Sequence, residues 1–285
     1  MDADLRLPGD GLTLAADAYG PVDGPPVVLL HGGGQTRHAW AGTARLLGDK
    51  GWRATTVDLR GHGDSDWAGT GDGYTLDAFA ADVRAVAAAQ PRPPALIGAS
   101  LGGLSALTAI AEAPPDTTVA SALVLVDVAP RLEVRGVERI TRFMLGHLDG
   151  FASLEEVADA VSAYNPHRPR PRDLSGLRKN VRRHEDGRWY WHWDPAFLQS
   201  GGDETRSVRN EDRLDEDARA VTVPTLLVRG RQSDVLSEEG VRHTLELMPG
   251  ARYVDVGGAG HMVAGDRNDA FNDAVVEFLR EELPV

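Results

Sequence analysis

The feature that most constrains this chain is a pentapeptide near position 100. Leu96-Ile97-Gly98-Ala99-Ser100-Leu101-Gly102-Gly103 ends an apolar run in Gly-x-Ser-x-Gly, and an alanine-rich stretch of helical character follows. This pattern predicts a strand that turns sharply into a helix with a serine at the apex. Such a turn needs small flanking residues because its backbone is strained and closely packed. Gly98, Ala99, Gly102 and Gly103 supply them. The turn lifts the Ser100 hydroxyl clear of the sheet and sets the Leu101 N–H beside any carbonyl that the hydroxyl attacks. Ser100 is therefore a candidate nucleophile. The competing reading is an idle serine in an ordinary strand-to-helix turn, and the rest of the chain decides between them.

Strand-like and helix-like segments alternate on both sides of this turn. Strands are expected at Leu12–Ala18, 25–30, Arg53–Leu59, Ala95–Ala99 and Ser121–Val128, with helices at Leu76–Ala89 and Leu101–Ala113. The rhythm returns with a strand at Val223–Arg229, a helix at Glu238–Met248, a strand at Ala251–Val256 and a helix at Asn268–Glu282. Continuous apolar strands alternating with helices imply a mostly parallel sheet covered on both faces. Between about 131 and 218 the pattern turns helical and no strong strand run appears. This stretch carries Arg168, Arg170, Arg172, Arg178, Lys179, Arg182 and Arg183, then Trp189-Tyr190-Trp191-His192-Trp193. The expectation is one α/β domain formed by 1–130 and 219–285, interrupted by a helical insertion at 131–218.

Composition removes several function classes. The 285 residues include 30 basic and 43 acidic side chains, a net charge of −13. That balance argues against nucleic acid and anionic membrane surfaces as partners. The absence of cysteine excludes disulfides, thiolate catalysis and cysteine zinc sites. No segment approaches the roughly 20 apolar residues of a membrane span. The N-terminus lacks a signal pattern, so a cytoplasmic protein is expected. Positive charge is almost all arginine, with Lys50 and Lys179 the only lysines, which fits a GC-rich bacterial source. There is no phosphate-binding Gly-x-x-x-x-Gly-Lys loop and no His-Glu-x-x-His zinc helix.

A serine hydroxyl needs a base, and the base needs an orienting carboxylate. His261 follows the strand Ala251–Val256 in a glycine-rich turn, and Asp234 follows the strand Val223–Arg229. Both lie at carboxyl ends of strands, the edge where parallel sheets place their working residues. Asp234 is the expected acid, and Asp127, just past Leu123-Val124-Leu125-Val126, is its rival. An oxyanion needs two N–H donors. Leu101 offers one, and Gly33 in Leu30-His31-Gly32-Gly33-Gly34 the other, with Gly34 in reserve. Gly34, Trp191 and Met262 are candidate pocket residues. The bland readings are packing within the insertion for the tryptophans, a solvated face for the arginine cluster, and loop bracing for His31, His62, Arg60 and Asp64.

His31-Gly32, Asp58-Leu59-Arg60-Gly61-His62-Gly63-Asp64-Ser65, the Ser100 turn, the Asp234 loop and Gly260-His261 occur in an order that resembles the α/β-hydrolase fold superfamily. The resemblance is to the cap-containing serine hydrolases and covers essentially the whole chain outside the cap. It implies a mostly parallel central sheet flanked by helices, an inserted helical cap, and a Ser-His-Asp triad working without metal or organic cofactor. The implied activity is hydrolysis of a small or medium carboxylic ester, an EC 3.1.1 carboxylesterase type, with a small molecule as its partner. Carbon–carbon bond hydrolysis, lactone hydrolysis, perhydrolysis or haloperoxidase chemistry on the same triad are alternatives. A small-molecule receptor that does not turn over its ligand is another.

Overall fold

The computed structural model describes residues 1–165, 170, 172–199, 210–261 and 268–285. Among these, eight strands form one sheet: β1 (Asp2–Pro8), β2 (Thr13–Tyr19), β3 (Pro26–Leu30), β4 (Arg53–Val57), β5 (Ala95–Ala99), β6 (Ala122–Val126), β9 (Thr225–Gly230) and β10 (Arg252–Val256). The short pair β7 (Val181–Arg183) and β8 (Trp189–Trp191) stands apart from it. The sheet order is β1-β2-β4-β3-β5-β6-β9-β10. β2 runs antiparallel to both its neighbours, β1 and β4, and β4, β3, β5, β6, β9 and β10 are mutually parallel. β1 escapes sequence reading because it is an exposed edge strand with charged residues among its apolar ones.

Strand alternation sends side chains to two cores. Val28, Leu30, Leu96, Leu123, Leu125 and Leu227 face one side. They meet α2 (Leu76–Ala88), α3 (Leu101–Ala111), α6 (Glu211–Ala220) and α7 (Glu238–Leu247). Val27, Leu29, Ile97, Val124, Val126 and Val228 face the other side, against α1 (Ala41–Asp49) and α8 (Asn268–Glu282). Both faces are thus buried, which is why the central strands read as unbroken apolar runs. No helix among the described residues is long and apolar enough to cross a membrane.

The insertion is not wholly helical. It holds α4 (Val134–Leu145) and α5 (Leu154–Tyr164), but also the β7/β8 hairpin, whose three-residue strands are too short to show alternation. α6 spans the expected boundary at 218. Its Leu214 and Ala218 join the sheet-domain core, and Thr108 of α3 donates to Asp217 at 2.5 Å.

Candidate active site

Strand register collects the chemistry at one edge. Ala99 of β5 pairs with Val126 of β6, so Ser100 and Asp127 leave adjacent strands side by side. The Ser100 N–H reaches Val126 O at 3.4 Å, and the Asp127 N–H reaches Val228 O of β9 at 2.7 Å. Ser100 adopts φ 47° and ψ −119°, a left-handed φ that ordinary residues avoid. The neighbours explain how it is held. A Cβ on Gly98 would sit 2.5 Å from the Gly102 carbonyl, and one on Gly102 would sit 2.5 Å from Leu30 O. The glycines let β5, α3 and β3 close to backbone contact around the serine.

His261 is reached from the last parallel strand. Its Nδ1 lies 2.7 Å from Asp127 Oδ2, with Asp127 fully buried and the imidazole 11% exposed. A carboxylate only accepts, so this contact puts the proton on Nδ1 and leaves the Nε2 lone pair free to act as a base. Asp127 has two further donors. Gly230 N–H meets Oδ1 at 2.9 Å and Ser233 Oγ meets Oδ2 at 2.5 Å.

Asp234, the expected acid, is not at the imidazole. Its side chain is 47% exposed and forms a two-point ion pair with Arg139 of α4, at 2.7 and 2.9 Å. The rival Asp127 holds His261 instead. The geometric reason is that β6 ends beside β9 and delivers its carboxylate inward. The Asp234 loop turns outward under α4, where a Cβ on Gly136 would meet Asp234 O at 2.2 Å.

The loop expected to hold an oxyanion lies against the Ser100 turn, where a Cβ on Gly32 would be 3.3 Å from Ser100 Cβ. Among the described residues, neither the Gly33 nor the Leu101 N–H has an acceptor, whereas Gly102, Gly103 and Leu104 donate to His31 O and Ser100 O. A Cβ built on Gly33 would come 4.0 Å from Leu101 Cδ2, so the two residues lie together. Gly34 is otherwise committed: its N–H donates to His62 Nε2 at 3.0 Å, and its φ of 75° requires glycine.

The two histidines beside this loop are braces. His31 Nδ1 donates to Gly32 O at 2.8 Å while its Nε2 accepts from Leu59 N–H at 3.0 Å. His62 Nδ1 donates to Arg60 O at 2.9 Å while its Nε2 takes Gly34 N–H. Each ring is fixed as a neutral tautomer. Burial pushes His31 down to about 4 and His62 down to about 3.

From the insertion, Met144 and Phe197 lie over the loop. A Cβ on Gly34 would be 3.1 Å from Met144 Cε, and one on Gly33 would be 3.5 Å from the Phe197 ring. Neither is legible in the sequence, since nothing in an amphipathic helix or a short turn says which residue overhangs a glycine loop. Trp191, expected as a pocket residue, packs inside the insertion against Phe143 and Phe151, with ring centroids 5.5 and 5.1 Å apart. It also lines a separate cavity of about 350 Å³ with Arg6, Asp64, Trp67, Arg182 and His192. Met262 and Arg168 lie outside the described residues. Arg170 and Arg182 pair with Asp159 and Asp64, and Arg178 lies over Trp189. Among the described residues no group of three His, Asp or Glu side chains is arranged to hold a metal ion.

Comparison with known proteins agrees with this architecture. Esterase Rv0045c of Mycobacterium tuberculosis is 31% identical over 264 residues, covering 88% of this chain and 81% of that one. A non-heme chloroperoxidase of Burkholderia pyrrocinia is 25% identical over 276 residues, covering 95% and 97%. The crystal structure of E-2-(acetamidomethylene)succinate hydrolase superposes with a TM-score of 0.83 at 24% identity, over 96% and 98% of the two chains, a likeness of fold. A family model described as the alpha/beta hydrolase fold matches residues 25–267. This protein belongs to the alpha/beta hydrolase family of enzymes.

Proposed function

We propose that this protein is a serine esterase acting on a small or medium carboxylic ester through an acyl-enzyme. Ser100 is the nucleophile, His261 the base, and Asp127, not Asp234, the orienting acid. The observation that carries the reading is the 2.7 Å contact between Asp127 and His261 Nδ1, at the sheet edge where Ser100 stands on its strained turn.

His261 Nε2 takes the Ser100 proton as Oγ attacks the ester carbon. The oxyanion that forms accepts from the Gly33 and Leu101 N–H groups, which need no reorganisation at that moment. The buried Asp127 carboxylate stabilises the imidazolium. His261 then protonates the departing alkoxide, and the alcohol leaves. Water, deprotonated by the same imidazole, attacks the acyl carbon and regenerates Ser100. The supporting comparison is the likeness to Esterase Rv0045c.

Hydrolysis of p-nitrophenyl esters of increasing acyl length, with Ser100→Ala in parallel, tests the reading. Turnover in the parent and its loss in the variant are expected. Full activity in Ser100→Ala rules the mechanism out.

A second reading has one observation behind it, the chloroperoxidase likeness along nearly the whole chain. On the same acyl-enzyme, hydrogen peroxide in place of water as the attacking species yields a peracid. Peracid formation from acetate and peroxide that depends on Ser100 is the outcome that favours it.

A further inference from the structure

The turn after β9 contributes more than a backbone support to the site. Ser233 Oγ and His261 Nδ1 share one oxygen, Asp127 Oδ2, at 2.5 and 2.7 Å. The serine hydroxyl is itself oriented. It accepts the Val235 N–H at 3.1 Å and the Leu236 N–H at 3.2 Å, so its lone pairs are engaged and its proton points at the carboxylate. The turn is fixed at both ends: Ser233 N–H donates to Gly230 O and Gln232 N–H donates to Ala259 O, each at 2.8 Å. Gly230 has no room for a side chain, since a Cβ there would meet Gly260 O at 2.2 Å. The loop that carries His261 and the turn that carries Ser233 are thus locked together around one buried carboxylate.

We propose that Ser233 is a positioning residue: its hydroxyl holds Asp127 Oδ2 in place and divides that oxygen's charge with the His261 imidazole. This rests on the reading of Asp127 as the triad acid. A fully buried carboxylate has no water to share its charge, so each donor weakens its pull on the others. With the hydroxyl gone, more of the charge falls on Nδ1–H, and the imidazolium is favoured. The active-site histidine then holds its proton to higher pH.

The test is the pH dependence of kcat/KM for p-nitrophenyl ester hydrolysis. Ser233→Ala is expected to move the acidic limb upward by about half a pH unit or more and to lower kcat about tenfold. Ser233→Cys, close in size and a weak donor, is expected to move the limb the same way, and it carries the test if the alanine variant fails to fold. Ser233→Thr keeps a hydroxyl and is expected to restore the limb. Asp234→Ala, in the same turn but turned toward Arg139, is expected to leave the limb where it is. Limbs of Ser233→Ala or Ser233→Cys that overlie the parent's, whatever the loss in rate, overturn the proposal and leave Ser233 a merely structural residue. The underlying reading fails separately, if Asp127→Asn retains the parent's activity.

Discussion

Arg139 and Asp234 grip one another at two points, Nε to Oδ2 at 2.7 Å and a terminal guanidinium nitrogen to Oδ1 at 2.9 Å. The same guanidinium donates to Tyr164 O at 3.1 Å and lies 4.6 Å from the centre of the Tyr164 ring. Asp234 therefore ties the inserted helices to the sheet domain, and its carboxylate is spoken for.

The two aspartates should separate cleanly in solution. Asp127→Asn removes the charge and puts an NH2 donor where one accepting oxygen stood, so the His261 tautomer is no longer fixed, and a loss of about 10⁴ in kcat is expected. Asp234→Asn breaks an ion pair whose partners are 38% and 47% exposed. Such pairs contribute about 1 kcal/mol or less, so kcat should stay within a few-fold of the parent. Steady-state kinetics on one ester decides the matter, and the opposite ranking would return the acid to Asp234.

The Ser100 turn makes a prediction about stability. Gly98→Ala would drive a methyl to 2.5 Å from the Gly102 carbonyl, and Gly102→Ala would drive one into Leu30 O. Neither contact is a flexible side chain, so β5 and α3 must part. A loss of about 3 kcal/mol is expected for each, read as a lowered denaturant midpoint. Variants as stable as the parent would mean that the strand and helix do not approach so closely.

The sheet domain was legible because its physics is local. Val27-Val28-Leu29-Leu30 and Leu123-Val124-Leu125-Val126 are buried on both faces, which leaves them as unbroken apolar runs. Ser100 was legible for the same kind of reason, since Gly98, Gly102 and Gly103 leave a visible mark of backbone contact. The acid was harder. Asp127 and Asp234 both follow apolar strands, and spacing does not tell which strand end turns inward. Only the register of β6 against β9 and the outward pull of Arg139 distinguish them. The insertion was least legible. Its hairpin is too short for alternation, and Met144 and Phe197 meet Gly34 and Gly33 only through a tertiary packing that local pattern does not encode.

Those two overhanging side chains predict how substrate length is read. Met144 is buried over Gly34, and Phe197 is wedged edge-on to His62, Tyr74 and Phe79 with centroids 5.2 to 6.0 Å away. Met144→Ala removes bulk from above Gly34 without touching the Gly33 and Leu101 N–H groups. The expected result is a rise in kcat/KM for longer acyl chains relative to acetyl, by about fivefold. Phe197→Ala should cost stability as well, because its partly buried ring packs the aromatic cluster. An unchanged chain-length profile in Met144→Ala would place the acyl group elsewhere.

The buried histidines set the acid sensitivity of the fold. His31 and His62 are neutral in the folded protein, pushed down to about 4 and about 3 chiefly by burial. In the unfolded chain each titrates near 6.5. Below that pH the unfolded state binds protons that the folded state does not, so stability falls as pH falls. The contribution is fully present above about pH 6.5 and is lost at about 1.4 kcal/mol per pH unit for each ring down toward pH 4. His192, also lowered, to about 4, adds in the same direction. Denaturant unfolding at pH 7, 6 and 5 should show this slope. His62→Gln supplies an oxygen for the Gly34 N–H and an amide for Arg60 O, with nothing to titrate. It should fold at pH 7 and lose stability less steeply on acidification. A slope equal to the parent's would show that His62 takes up its proton without unfolding the loop that it braces.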